Sequence, residues 1–340
     1  MANSKPPRPT MLDVARLSGV SYQTVSRVIN DHPYVSKETR QRVQAAIDKL
    51  GYRPSKAATK LASKSSKIIA VILYGIWLPG QSEIALNVEL AAKTSGFDVI
   101  LINITEPRHQ LIEALDNIKG WAVDGIISIV PVKGLAFEEM RAITGETPVV
   151  QIGSVRASGT PSVTIDETYG TEQLVSHLID LGHTRFAEIS GPLDWFSAQV
   201  RHQATLDTLA ARGLDAPVSD EANWTVSGGY RAAKRLLEAG HDFTALVVAN
   251  DSMALGAIRA LHEAGLSVPR DVSVVGFDDI PEAAYFSPPL TTVRRNLIQL
   301  GMASFEYLMQ VMDDPDAPAE QRVLLPRVIY RESTGSPNTP

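Results

Sequence analysis

Residues 10–30 read TMLDVARLSGVSYQTVSRVIN, and the fold of the N-terminal segment follows from them. Thr10 stands before an apolar run of Met11, Leu12, Val14, Ala15 and Leu17, and Asp13 follows at the spacing of a capping box. Gly19 supplies the stop, because glycine enters the left-handed backbone region without a steric penalty. Ser21 can cap a second helix from Tyr22 to Ile29, which Asn30, Asp31, His32 and Pro33 end. Helix, glycine turn, helix is the arrangement of a helix-turn-helix. Val14, Ala15, Val20, Val25 and Val28 form the expected core, and Tyr22, Gln23, Ser26 and Arg27 are left facing out. A third helix is expected from Ser36 to about Leu50, with Val43, Ile47 and Leu50 on one face and Gly51 as its stop.

An outward polar helix of this kind fits the major groove of DNA, where its N-terminal residues meet base edges. Gln23 can pair bidentately with adenine and Arg27 with guanine. Tyr22 offers a ring for thymine methyl groups and a hydroxyl for phosphate. An exposed helix in any three-helix domain would show the same pattern, so charge has to arbitrate. The 340 residues carry 32 Lys/Arg and 38 Asp/Glu, a net of −6. Residues 1–64 hold 12 of the basic and only 4 of the acidic side chains, and the remainder holds 20 and 34. A basic module on an acidic body is what a phosphate-binding head on a separate domain requires.

Composition removes several classes. The 44% hydrophobic and 21% charged content is that of an ordinary globular protein. Cysteine is absent, which excludes disulfides, a thiol nucleophile and Cys-ligated zinc or iron–sulfur sites. No apolar run approaches the roughly 20 residues needed to span a bilayer. The opening residues, MANSKPPRPT, lack the apolar segment of a signal peptide. A cytoplasmic protein without a membrane role is expected.

The stretch from Asp13-Val14-Ala15 through Gly19-Val20-Ser21-Tyr22-Gln23-Thr24-Val25-Ser26-Arg27-Val28-Ile29-Asn30 resembles the DNA-binding head of the LacI/GalR family of transcriptional regulators. The resemblance continues through Val35-Ser36-Lys37-Glu38-Thr39-Arg40 and Leu50-Gly51-Tyr52-Arg53-Pro54. It implies a head over residues 1–54 with DNA contacts at Ser21, Tyr22, Gln23, Ser26, Arg27, Asn30 and Tyr52. Residues 55–66 have helix-forming composition but little apolar surface, and so short a helix is marginal alone. By resemblance they form a hinge helix that folds when two subunits sit side by side on DNA, with Leu61 wedged into the minor groove. Such a wedge favours an easily deformed pyrimidine–purine step at the operator centre. A plain tether, with Leu61 packed on the body, is the alternative.

From Lys67 the pattern changes to alternating strands and helices. Near-continuous apolar runs at 68–73, 97–102, 125–130 and 148–152 alternate with helical stretches, and a second series begins near Val163. This predicts parallel doubly wound sheets covered on both faces, in an α/β core with two lobes. The first lobe is expected over about 67–162 and 292–320, the second over about 163–291 and 321–331, with Thr291–Arg295 crossing between them. The resemblance here is to the family's periplasmic-binding-protein-like core over 67–340.

Ligands of open α/β sheets sit beyond the carboxyl ends of the strands. Asn250 and Asp251, Asp278 and Asp279, Ser197 and Arg201, Trp195 and Trp224 all fall at such places. Carboxylates and amides take paired sugar hydroxyls, and a flat aromatic face packs on sugar C–H groups. Asn250 and Asp251 equally suit a helix N-terminus, and a buried tryptophan equally suits a core. The family resemblance implies effector contacts at Asp278, Arg201, Asn250, Trp224, Ser197, Trp195 and Gln81, with departures at Ser252 and Arg295.

No phosphate-cradling loop, metal-ligand spacing or nucleophile elbow is found. No catalytic residue and no cofactor is therefore expected. The expected partners are a pseudo-palindromic DNA operator, a galactoside or other glycoside as effector, and a second copy of the chain. Ile84, Leu86, Val88 and Leu90 are candidates for the subunit interface, and the ending RESTGSPNTP has no leucine heptads, which favours a dimer over a tetramer. A transport-type binding protein would need an export signal and no basic head. A sugar-metabolising enzyme would need a catalytic constellation.

Overall fold

The computed structural model describes residues 9–29, 32–52, 65–106, 109–130, 137–153 and 159–338. The chain divides into two compact units, Met1–Ser66 and Lys67–Pro340.

In the first unit, α1 (Met11–Ser18), α2 (Tyr22–Ile29) and α3 (Lys37–Leu50) form as the sequence expects. Thr10 and Asp13 cap reciprocally: the Asp13 carboxylate accepts the Thr10 N–H at 2.9 Å, and the Thr10 hydroxyl accepts the Asp13 N–H at 3.4 Å. Gly19 turns the chain at φ 65°. The Ser21 hydroxyl accepts from Thr24 N at 3.1 Å, and that of Ser36 accepts from Thr39 N at 3.2 Å. Val14, Ala15, Val25, Val28, Val43, Ala46 and Tyr52 close a small core.

The second unit holds two parallel sheets. The strands of the first are β1 (Ile68–Tyr74), β2 (Asp98–Ile104), β3 (Gly125–Ile129), β4 (Val149–Ile152), β5 (Ser162–Ile165) and β11 (Gln321–Leu324), in the order β11-β5-β4-β3-β1-β2. On one face lie α4 (Pro79–Thr94) and α11 (Leu297–Asp313), which bury Ile84, Val88, Leu300 and Phe305 against the sheet. On the other lies α5 (His109–Trp121), which buries Leu111, Leu115 and Ile118; α6 (Phe137–Thr144) adds Met140. The second sheet is β7 (Val218–Glu221), β6 (Phe186–Ser190), β8 (Ala245–Val248) and β9 (Ser273–Val275), in that spatial order. It is covered by α7 (Glu167–Asp180) and α8 (Phe196–Ala211) on one side, and by α9 (Val226–Glu238) and α10 (Asp251–Glu263) on the other.

Two strands correct the expected lobe boundaries. β5, expected to open the second lobe at 163, pairs with β4 (Gln151 opposite Ser162) in the first sheet. β11, expected in the second lobe from 321, pairs with β5 (Gln321 opposite Ser162) at that sheet's edge. An apolar run buried on both faces identifies a strand but not which sheet receives it; only hydrogen-bond register does that. The lobes therefore meet at three passages: Ile165 to Glu167, Arg294 to Leu297, and Leu324 to Arg327. In the last two, β10 (Thr292–Arg294) and β12 (Arg327–Ile329) form an antiparallel pair, tied to the second lobe by the bridges Val275–Thr291 and Asp278–Arg294. Among the described residues, no helix is long and apolar enough to cross a membrane.

Candidate functional site

The outward face of α2 is the first candidate. Val25 and Val28 turn into the core, so the 3.6-residue repeat leaves Tyr22, Gln23 and Arg27 exposed and Ser26 half-buried. Tyr22 keeps 48% of its surface in solvent, and Ser21 at the helix start is also exposed. The Arg27 side chain makes no hydrogen bond or ion pair among the described residues, so its fork is available. Tyr52, expected to meet DNA, packs inward: the left-handed Gly51 reverses the chain, Tyr52 N bonds to Ile47 O at 3.0 Å, and the residue joins the core at 7% exposure. Asn30, Leu61 and the hinge stretch 55–64 lie outside the described residues.

The second candidate is the cleft between the lobes, reached from the carboxyl ends of β1, β5, β6, β7, β8 and β9. Arg201 is buried on α8 and grips Glu167 through two nitrogens, at 3.0 and 3.3 Å. Its Nη1 donates to Ala249 O and lies 3.7 Å from Asp278 Oδ1. The guanidinium sits 3.8 Å over the Phe277 ring and 5.7 Å from that of Trp224. Burial opposes its charge, but Glu167, Asp278 and Asp251 more than compensate and hold it above its ordinary value. Asp278 has φ 120° and Asp279 φ 57°, a strained pair for non-glycine residues. The Asp278 N–H donates to Val293 O at 2.9 Å, and Asp279 is held by Arg294 and Arg331. Burial pushes the Asp278 carboxyl up, against the pull of Arg295 and Arg201.

The aromatic residues form a row. Trp224 and Trp195 stand 5.6 Å apart, and Tyr74 from the first lobe meets Trp195 edge-on at 5.4 Å. Gly191 permits this, since a Cβ there would fall 2.2 Å from the Trp224 ring. Trp224 Nε1 is buried without a hydrogen-bond partner among the described residues. An orphan donor of this kind is costly and fits a site that a ligand oxygen completes.

The remaining expected residues divide. Asn250 serves two masters within the protein: its Oδ1 accepts from Met253 N at 2.8 Å as the cap of α10, and its Nδ2 donates to Trp224 O at 3.1 Å. Ser197 lies one turn ahead of Arg201, half-buried. Gln81 lies in the first turn of α4 with Oε1 buried and unpaired among the described residues, and no hydrogen bond joins it to the Arg201–Asp278 group. Asp251 is fully buried, accepting from Thr292 Oγ1 at 2.6 Å and Ile280 N at 2.9 Å; burial and then Asp278 push it up to about 8.

Three cleft residues were not among those expected. Glu167 looks in sequence like any first-turn acid of a helix. Tyr74 looks like the end of a buried strand. Arg295 registered only as a departure, yet it reaches Asp278 at 2.9 Å and Glu167 at 3.6 Å. Of the expected interface positions, Ile84 and Val88 belong to the core, whereas Leu86 and Leu90 are 67% and 58% exposed.

Residues 10–55 match the family described as bacterial regulatory proteins, lacI family, and residues 175–334 match the periplasmic binding protein-like domain. The chain is 33% identical to the lactose operon repressor of Escherichia coli (strain K12) over 332 residues, covering 97% of this chain and 92% of that one. It is 32% identical to the ribose operon repressor of the same strain over 327 residues, covering 95% and 99%. The crystal structure of the lac repressor dimer bound to operator and the anti-inducer ONPF aligns with a TM-score of 0.91 at 32% identity, over 97% of this chain and 100% of that one. The complex of the transcriptional regulator CelR with cellobiose aligns with a TM-score of 0.73 at 30% identity, over 96% and 100%.

Proposed function

Because this chain belongs to the LacI family of bacterial regulatory proteins, we propose that it is a sugar-responsive transcriptional repressor that binds a pseudo-palindromic operator as a dimer. The carrying observation is the outward polar face of α2, set on a helix–turn–helix whose two helices are both capped at their N-termini, within a basic segment. α2 enters the major groove, with Gln23 and Arg27 on base edges and Tyr22, Ser21 and Ser26 nearer the backbone. Asn30 would contribute beside them, residues 55–66 would be the hinge, and Leu61 its minor-groove wedge. Leu86 and Leu90, exposed on α4, supply apolar surface for the second subunit.

The cleft binds the effector, a galactoside or other glycoside. Asp278 and Arg201 take hydroxyls, Trp224 and Trp195 give the flat faces, and Asn250, Ser197 and Gln81 line the site. The ligand acts by binding one lobe arrangement better than the other, a coupling of typically about 1–3 kcal/mol. The chain's relatives here are regulators, which supports a non-catalytic reading.

A gel-shift with palindromic duplexes at modest ionic strength, with and without lactose, cellobiose and ribose, tests the reading. The expected result is a dimer–duplex complex, weakened by salt, whose stability changes with one of the sugars. A protein that ignores every duplex whatever sugar is supplied removes the reading, and sedimentation showing tetramers removes the dimer.

A further inference from the structure

Four charged side chains in the cleft close an alternating ring. Arg201 bridges Glu167 at 3.0 Å and Asp278 at 3.7 Å, and Arg295 bridges the same two at 3.6 and 2.9 Å. Side-chain exposure is 6% for Arg201, 8% for Glu167, 15% for Arg295 and 18% for Asp278. Arg201 and Asp278 belong to the second lobe, whereas Glu167 and Arg295 stand on two of the passages between lobes. Arg295 also packs against the start of α4 in the first lobe, where a Cβ on Gly80 would fall 2.7 Å from its Nη2.

The guanidiniums stay protonated at any working pH. Two guanidiniums face two carboxyl groups, so the formal charges of the ring cancel. Beside the ring, buried Asp279 is matched by Arg331, its second partner Arg294 is 42% exposed and screened by solvent, and burial pushes Asp251 toward its neutral form.

The ring is imperfect at one point. Asp278 Oδ1 and Arg295 Nε approach to 2.9 Å, yet poor alignment leaves both buried atoms without a hydrogen bond. A hydroxyl both donates and accepts, so one sugar hydroxyl can serve both atoms after a small side-chain shift and add no charge. A carboxylate, phosphate or ammonium would bring an uncompensated charge into a site already in balance, at a large desolvation cost.

We propose that the Glu167–Arg201–Asp278–Arg295 ring is a charge filter, which selects an uncharged, hydroxyl-bearing sugar and rejects uronates, sugar phosphates and amino sugars. The inference rests on the effector-cleft reading above and adds the charge class of its ligand. Glu167 and Arg295 are then specificity-determining residues, matched to each other in sign.

The test is isothermal titration of the full-length protein with lactose, cellobiose and ribose, and with the uronate, phosphate and 2-amino analogues of the sugar that binds. The parent should hold the uncharged sugar at least about tenfold more tightly than each charged analogue. A charged analogue that binds as tightly overturns the filter and leaves the cleft reading standing. If neither charged nor uncharged sugars bind, both fall. Glu167→Gln makes the ring positive and should narrow the preference over the uronate by about tenfold. Arg295→Gln makes it negative and should narrow the preference over the amino sugar instead, while widening that over the uronate. Opposite shifts of these ratios cannot come from a shared loss of folding. Shifts in the same direction, or none, overturn the proposal.

Discussion

The head and the cleft hold arginine in opposite ways. Arg27 lies exposed on α2 with its fork unoccupied among the described residues. Arg201 lies buried on α8 between Glu167, Asp278, Ala249 O and two aromatic rings. The difference reflects the size and charge of what each meets. A duplex brings its own dense negative charge and releases counterions, so solvated cations on a small scaffold suffice. A small neutral sugar brings neither, so it must be met by groups already stripped of water and held in place.

If that contrast is right, the largest single effect comes from the cleft. Asp278→Ala leaves Arg201 and Arg295 with one carboxylate between them. Removing one partner of a buried ion pair costs on the order of 3–5 kcal/mol. Sugar binding measured by titration should be lost and the sugar response of the gel-shift with it, while sugar-free DNA binding persists. An unchanged response would remove Asp278 from the site.

The matching experiment on the head should be smaller and should concern discrimination. Gln23→Ala and Arg27→Ala should each cost roughly 1–3 kcal/mol of preference for operator over random duplex. Competition gel-shifts read this directly. If both variants discriminate as well as the parent, α2 is not the recognition helix, and the exposed arginine is a solvated surface charge.

The same contrast decides what the sequence could disclose. In the head, every determinant is local: Thr10 with Asp13, Gly19 alone, Ser21 with Thr24, and one apolar face per helix. Short-range chemistry of this kind is legible residue by residue. In the core the strands were legible but their sheets were not. β5 reads as a buried strand in either lobe, and only its pairing with β4 and β11 assigns it. β7 (Val218–Glu221) and α11 (Leu297–Asp313) go beyond the expected elements. β7 is a four-residue edge strand in which Ser219, Asp220 and Glu221 are polar, so it carries no apolar run. Asp278, Arg201 and Trp224 stand after strands, where ligand groups are sought. Glu167 and Arg295 lie 128 positions apart on separate passages, and no local pattern announces that they meet.

Asp251 sharpens the cleft side of the comparison. Its carboxyl is pushed up from the ordinary aspartate range to about 8, chiefly by burial and then by Asp278. A raised carboxyl pKa in the folded state means that its stabilising contribution is complete below about pH 4. That contribution drains away as the pH climbs toward 8, because the unfolded chain loses this proton first. Asp251→Asn keeps an oxygen for Ile280 N and offers an amide to Thr292, but cannot ionise. The melting temperature of Asp251→Asn minus that of the parent should rise between pH 5 and pH 8, by about 2–4 °C for each 1 kcal/mol of difference. A flat difference across that range would mean that Asp251 is ionised in its burial site.

The smallest effect tests the head. Tyr52 sits in the core of α1–α3, where burial and then Tyr22 hold its phenol above the ordinary tyrosine value. If the ring serves packing, Tyr52→Phe keeps the whole contribution and should change duplex affinity by less than about 0.5 kcal/mol. If the hydroxyl reaches a phosphate, the variant forfeits a hydrogen bond to a charged group, worth about 1.5–3 kcal/mol. Fluorescence anisotropy with a labelled palindrome separates less than about threefold from more than about tenfold. A tenfold loss would return Tyr52 to the DNA face, and the head would then meet its partner through its packed core as well as through solvated side chains.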